Sequence, residues 1–166
     1  ENNTIESLKK FNNSNKIYFF SKAHTDIYYT GLKIFYDNTF FGVGPRQYRN
    51  ICKDYPISEF SCQSHPHNTY IELLSEVGIF GFLIVLGVFL LIVIFSFLYF
   101  LSKIYSSKKY ILTDFEICIL SAFLISLWPL APTGSFFHNW MSIIYYYPAG
   151  MFLWQRSHNA KLAKKE

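Results

Sequence analysis

The sequence predicts an all-α membrane protein, in which a partly helical extracytoplasmic region precedes three transmembrane helices. The chain has 166 residues, of which 51% are hydrophobic, 20% aromatic and only 16% charged, whereas a typical soluble domain has about 25% charged residues. Two long segments, 77–102 and 117–155, contain no Asp, Glu, Lys or Arg. Because about 20 apolar residues suffice to span a bilayer, this composition excludes intrinsic disorder and argues against an ordinary soluble domain.

The charge-free segments divide into three predicted spans. The first is 77–101, and the second segment is long enough to cross twice, at 117–132 and 137–154. Residues that favour a turn separate these two crossings, namely Pro129, Pro132, Thr133, Gly134 and Ser135. A single long span with a re-entrant piece is the alternative.

The distribution of charge predicts the orientation of these spans. Residues 1–76 carry eight basic and eight acidic side chains, whereas the 103–114 loop and the 156–166 tail are both net basic. Short cytoplasmic segments are enriched in Lys and Arg, so we expect the loop and the tail in the cytoplasm and residues 1–76 outside. The basic tail is interpreted as a membrane-surface signal, and no nucleic-acid partner is expected.

Helical spacing predicts further elements on the extracytoplasmic side. Tyr28, Leu32 and Phe35 favour a helix over 25–36, and a turn at 42–45 precedes a short helix over 46–52. A longer helix starts after Pro66, with Asn68 or Thr69 as its cap, and continues to Leu101. Within it, Gly78 and Gly81 permit close approach by a neighbouring helix, although plain packing is the simpler interpretation.

The densest polar group of the chain lies at 62–68. Cys52, Cys62, His65 and His67 are acceptable zinc ligands, but the two cysteines can instead form a disulfide or remain free thiols. An extracytoplasmic loop is an oxidising environment, which favours the disulfide.

His67 lies just before a helix that enters the membrane. The positive end of a helix dipole disfavours a protonated imidazole and attracts anions such as phosphate, and Arg46 and Arg49 add cationic groups nearby in sequence. A neutral base beside an anion site suits group transfer from a phosphate-bearing donor to a hydroxyl. The alternative is that His67 has a structural role, which is more common for an isolated histidine in a loop. Elsewhere in the chain, His138 and Asn139 form another notable polar pair.

Several short motifs together resemble one known family. They are, in chain order, 41–45, 48–49, 52, 62, 65–70, 76–82 and 133–140. In particular, His67 and Asn68 are followed by nine residues, then by Gly78 and, three further on, by Gly81. This arrangement is similar to the O-antigen ligase and polymerase family of bacterial polytopic membrane glycosyltransferases, over roughly residues 24–155.

The resemblance implies a place, a reaction and a set of partners. Because the chain begins at Glu1 without a Met, we expect it to be the C-terminal part of a larger enzyme and to be inactive alone. We expect that enzyme in the bacterial inner membrane, with residues 1–76 in the periplasm. The family transfers a glycan from a polyprenyl-pyrophosphate carrier to an acceptor hydroxyl, among membrane lipids and without a metal or other cofactor. The acceptor is the lipid A core for ligases and another repeat unit for polymerases.

The resemblance also implies residue roles. His67 corresponds to the proposed catalytic base, and the substrate-binding assignments are Arg49, Arg46, His65 and Asn68. The resemblance does not distinguish a ligase from a polymerase. The non-enzymatic alternative is a three-span membrane protein whose loop binds zinc or a partner.

Overall fold

In a computed structural model, the described residues are 20–105 and 112–162, and every regular element in these two stretches is helical. The helices, in chain order, are α1 Lys22–Asp37, α2 Tyr48–Ile51, α3 Thr69–Ile104, α4 Asp114–Ser126 and α5 Asn139–Leu162, with a 3-10 turn at Cys52–Asp54 after α2. The chain divides into two compact units between Phe82 and Leu83, within α3. The middle of the predicted 103–114 loop and the end of the basic tail lie outside the described residues.

The helix predicted over 25–36 is present as α1, but its most buried side differs from the predicted one. The fully buried side chains include Ile27, Thr30 and Ile34, whereas the predicted stripe is only partly buried, namely Tyr28, Leu32 and Phe35. Gly31 gives the physical reason, because a Cβ atom there would lie 2.5 Å from Ile71 Cγ2. The missing side chain lets α1 approach α3 on this face.

Tyr48 is at the centre of the core of the first unit. It is fully buried against Ile27 and Cys52. Its hydroxyl lies 3.2 Å from the carbonyl oxygen of Ile27 and 3.0 Å from that of Ser61. Burial raises the pKa of the Tyr48 phenol, so the group stays a neutral donor. A disulfide between Cys52 and Cys62 closes the loop that carries Ser61.

Helix α3 is broken at Gly78, whose φ of 72° and ψ of −166° are accessible essentially to glycine alone. In an unbroken helix the Ile79 N–H would donate to the Ser75 carbonyl. Here the Ile79 N–H donates to the carbonyl of Thr39 at 2.9 Å, and the Ser75 carbonyl accepts from the Val43 N–H at 3.0 Å. The loop after α1 therefore supplies hydrogen-bond partners at the break.

Two glycines allow this loop to approach the helix so closely. A Cβ atom on Gly42 would collide with the backbone of Glu76 and Val77, and one on Gly78 would collide with the backbone of Phe40. The preferred interpretation of Gly78 as a plain packing position was therefore wrong, since a backbone does approach it closely, although that backbone is a loop rather than a neighbouring helix.

Helix α3 contains the first predicted span, 77–101. The part after the break, residues 79–104, measures about 39 Å at 1.5 Å per residue, against a hydrocarbon core of about 30 Å. Within 20–105 and 112–162, α3 is the one helix long and apolar enough to cross a membrane.

The second unit pairs α4 with α5. The Thr113 hydroxyl caps α4 by accepting from the Glu116 N–H, and the Glu116 carboxylate accepts from the Thr113 N–H at 2.8 Å. The same carboxylate, which is 1% exposed, lies 3.5 Å from the Arg156 guanidinium of α5. The start of α4 thus lies beside the C-terminal half of α5.

The boundaries predicted for the second and third spans differ from the observed helices. Helix α4 ends at Ser126 rather than at 132, because Pro129 disfavours a helical conformation at the residue before it. Its 13 residues measure about 20 Å, less than the hydrocarbon thickness. Helix α5 continues past 154 into a polar segment. Neither helix meets the length and composition of a span, so these two spans stay predictions.

We expect Gly78→Ala to lower the free energy of unfolding of the first unit by more than about 1–3 kcal/mol. That range is the backbone strain alone, and the added methyl group would also collide with the Phe40 backbone. Gly87→Ala in the same helix is the matched control, since no atom lies within 4 Å of its Cβ position and alanine favours a helix by up to about 1 kcal/mol. Thermal unfolding in detergent, followed by near-ultraviolet circular dichroism, measures both variants. Equal Tm values would contradict the proposed role of the break.

Candidate functional site

Hydrogen bonds to the Glu76 carboxylate link the segment at the start of α2 to the first part of α3. Glu76 is 1% exposed and accepts hydrogen bonds from the backbone N–H groups of Arg46 and Tyr48. Arg46 has a positive φ of 63°, which turns its N–H toward this carboxylate. The guanidinium groups of Arg46 and Arg49 add Coulomb attraction. A buried acceptor on α3 thereby fixes the backbone that carries both arginines.

His67 occupies a left-handed turn immediately before α3. Its φ is 56°, and the next residue, Asn68, caps the helix by accepting from the N–H groups of Tyr70 and Ile71 at 3.0 and 3.1 Å. Of the two predicted caps, Asn68 is thus observed in this role. Asn68 is 4% exposed, so its side chain holds the start of the helix and the turn that presents His67.

Three imidazole rings come together around His67. The ring centroid of His65 lies 4.1 Å from that of His67, and the ring centroid of His24, from the first turn of α1, lies 5.9 Å from it. Two serines flank the outer rings. Ser64 Oγ is 2.9 Å from Nδ1 of His65, and Ser21 Oγ is 2.8 Å from Nδ1 of His24. We call His24, His65 and His67 the histidine cluster.

The environment of the histidine cluster favours a neutral His67. Partial burial lowers the pKa of the His67 imidazole below its ordinary value of 6.5, and the charge on a protonated His24 lowers this pKa further. The sequence suggested the helix dipole as the cause of neutrality, whereas the structure points first to desolvation. A neutral imidazole can accept a proton near pH 7.

The residues predicted to form one site fall into two groups along α3. His65, His67 and Asn68 lie at its start, whereas Arg46 and Arg49 lie around Glu76. The eight residues from Asn68 to Glu76 correspond to about 12 Å of helix. Arg46 and Arg49 are both exposed residues.

His24 is the member of the cluster that sequence reasoning missed. It precedes the predicted helix by one residue and has no motif of its own, so only the packing of α1 against α3 brings it to His67. His138, by contrast, belongs to the second unit, where its exposed ring accepts a 3.4 Å hydrogen bond from the Trp140 N–H near the start of α5.

The zinc alternative required thiolates at Cys52 and Cys62. The structure joins these two cysteines in a disulfide, so they are not thiolate ligands. Among residues 20–105 and 112–162, no group of three or more His, Cys, Asp or Glu side chains has an arrangement that could hold a metal ion.

Comparison with known proteins identifies the segment that carries both groups of residues. Residues 13–86, less than half of the chain, match a family model described as O-antigen ligase. This segment is therefore similar to O-antigen ligases. No curated protein and no solved structure matches the chain.

The match confirms the family resemblance for the motifs between residues 41 and 82. It includes the histidine cluster, both arginines and the break at Gly78, and it connects them with a family of membrane-associated glycan-transfer enzymes. The resemblance suggested for 87–155 lies outside the matched residues and stays a prediction.

We expect the NMR titration of the His67 ring to have a midpoint below 6.5, and His24→Ala to move this midpoint upward. The substitution removes a neighbouring charge and part of the cover that excludes water. Since the unfolded chain binds a proton on this ring more readily than the folded protein, the ring lowers folding stability as the pH falls through about 6.5. His158→Ala in the second unit is the control and should leave the midpoint unchanged. A midpoint at or above 6.5 in the unmodified protein would contradict the environment described for His67.

Proposed function

We propose that this chain is the C-terminal part of an O-antigen ligase, which transfers a glycan from a polyprenyl-pyrophosphate carrier to a hydroxyl of the lipid A core at the periplasmic face of the bacterial inner membrane. The observation that carries the proposal is the position of His67 between the rings of His24 and His65. His67 is held in a fixed turn within the cluster, inside the segment that matches the family. The exposed residues Arg46 and Arg49, in and just before α2, lie near Glu76 of α3.

His67 acts as the general base in this proposal. Its unprotonated imidazole nitrogen takes the proton of the acceptor hydroxyl while the hydroxyl oxygen forms a bond to the anomeric carbon of the donor sugar. The bond from that carbon to the pyrophosphate oxygen breaks, and the polyprenyl pyrophosphate leaves with the electron pair. Because pyrophosphate is stable as an anion, the main tasks of the protein are positioning, charge stabilisation and removal of one proton.

Arg49, with Arg46, is the proposed pyrophosphate-binding group. The sequence also suggested the start of α3 as an anion site, but the Asn68 side chain already accepts from two of the first amide groups there. The exposed guanidinium groups near Glu76 therefore offer the better phosphate partners. His65 lies against His67 and is placed to contact the acceptor beside it.

The proposed topology places residues 1–76 in the periplasm and both basic segments in the cytoplasm. The Cys52–Cys62 disulfide supports an oxidising location for the first region. In the second unit, the contact of Glu116 with Arg156 brings the two basic ends to the same side, as two antiparallel crossings by α4 and α5 require.

We expect His67→Ala to lower the rate of glycan transfer by about 10²–10⁴-fold, the usual contribution of a general base. The variant should still insert into the membrane, since His67 precedes the apolar stretch. The matched control is His158→Ala, which removes a histidine stacked on Trp154 in α5 and should transfer normally. The assay follows transfer of labelled glycan from its lipid carrier in membranes that contain the complete enzyme with each substitution. Normal transfer by His67→Ala would refute the role of base.

We expect Arg49→Gln to lower kcat/KM for the pyrophosphate-linked donor by about 10- to 100-fold. A hydrogen bond to a charged group contributes about 1.5–3 kcal/mol, and each 1.4 kcal/mol is a factor of ten. Lys33→Gln, which removes an exposed cation from α1, is the control for loss of charge alone. If both variants lose the same amount, the effect is one of net charge, and Arg49 does not bind the pyrophosphate.

A further inference from the structure

Three exposed phenylalanines form a patch where the loop after α1 meets α3. The exposed fractions of Phe40, Phe41 and Phe80 are 64%, 78% and 53%. The Phe80 ring centroid lies 6.4 Å from that of Phe40 and 5.7 Å from that of Phe41. We call these three residues the phenylalanine patch. Large exposed aromatic groups in contact with one another indicate a surface that binds an apolar partner.

The position of Phe80 along α3 indicates what that partner is. The charge-free stretch of the chain begins at Val77, and α3 is the helix that qualifies as a membrane span. Phe80 is therefore in the first turn of the apolar stretch, at the boundary between water and hydrocarbon. Because their rings contact Phe80, Phe40 and Phe41 lie at the same depth.

The loop is fixed at that depth by its backbone. The Thr39 carbonyl accepts from the Ile79 N–H, and the Gly42 N–H donates to the Asn38 carbonyl at 2.9 Å. Polar backbone groups are costly in contact with lipid unless they have internal partners. Internal hydrogen bonds on both sides of Phe40 and Phe41 make this tip compatible with the membrane interface.

We propose that the tip of the loop, Phe40 and Phe41, inserts into the lipid bilayer beside α3 as a second membrane contact of the first unit. The occupant of the phenylalanine patch is the acyl-chain boundary of the membrane. Together with the break at Gly78, this contact sets the level of the first unit above the bilayer and hence the height at which the histidine cluster stands. The inference requires α3 to cross the membrane and does not depend on the proposed transfer reaction.

Site-directed spin labelling tests the depth of the patch directly. A nitroxide is attached to Phe41→Cys, or in a second variant to Phe40→Cys, with Cys118, the free cysteine of the described residues, replaced by alanine. Cys52 and Cys62 do not react because they are paired. The control is Asn50→Cys, an exposed polar position of the same unit. Each protein is reconstituted in vesicles of phosphatidylethanolamine and phosphatidylglycerol, and far-ultraviolet circular dichroism checks its helix content.

Collision rates with oxygen, which concentrates in lipid, and with a water-soluble nickel complex report the environment of each label. We expect the ratio of oxygen to nickel collisions to be several-fold higher at positions 40 and 41 than at position 50. Equal ratios would place the patch in water and overturn the proposal. Labels at 40 and 41 that are shielded from both reagents would also overturn it, because protein rather than lipid would then cover the patch.

Discussion

The junction between the 39–48 loop and α3 is the constraint on which the first unit depends. The helical geometry of α3 is interrupted at Gly78. There the Val43 N–H of the loop donates a hydrogen bond to α3, and the Thr39 carbonyl of the loop accepts one from it. The buried Glu76 carboxylate then fixes the backbone at positions 46 and 48. A buried polar group without a hydrogen-bond partner lowers the stability of the folded state. Loss of one of these contacts would therefore leave groups of the others without partners. The result is a first unit in which the loop and the first part of α3 are held together by backbone and side-chain hydrogen bonds.

This connection gives the histidine cluster a defined place. Asn68 fixes the start of α3 and the turn at His67, while Gly31 lets α1 lie close enough for His24 to reach the same turn. Local capping, a glycine contact and partial burial together hold the His67 imidazole in place before α3. These are the conditions in which a proton acceptor can act on a lipid-linked substrate.

The sequence was informative wherever a signal is local. Composition and charge-free length predicted α3, Asn68 was one of two predicted caps, and the family motifs pointed to the segment that matches O-antigen ligases. Contacts between residues that are far apart in the sequence could not be predicted from it. Nothing around His24 indicates His67, and nothing around Gly78 indicates that its partner is Phe40. The ends of α4 and α5 were misjudged because apolar composition does not determine where a helix stops.

Deletion of the gene in its host is the most direct test of the proposed delivery of lipid-linked glycan to an acceptor. If the protein is a ligase, finished glycan accumulates on the polyprenyl carrier and is missing from the acceptor after the deletion. Shortened glycan on an unchanged acceptor would instead identify a polymerase of the same family. Glycan of normal length that is delivered normally after the deletion would show that the protein does neither.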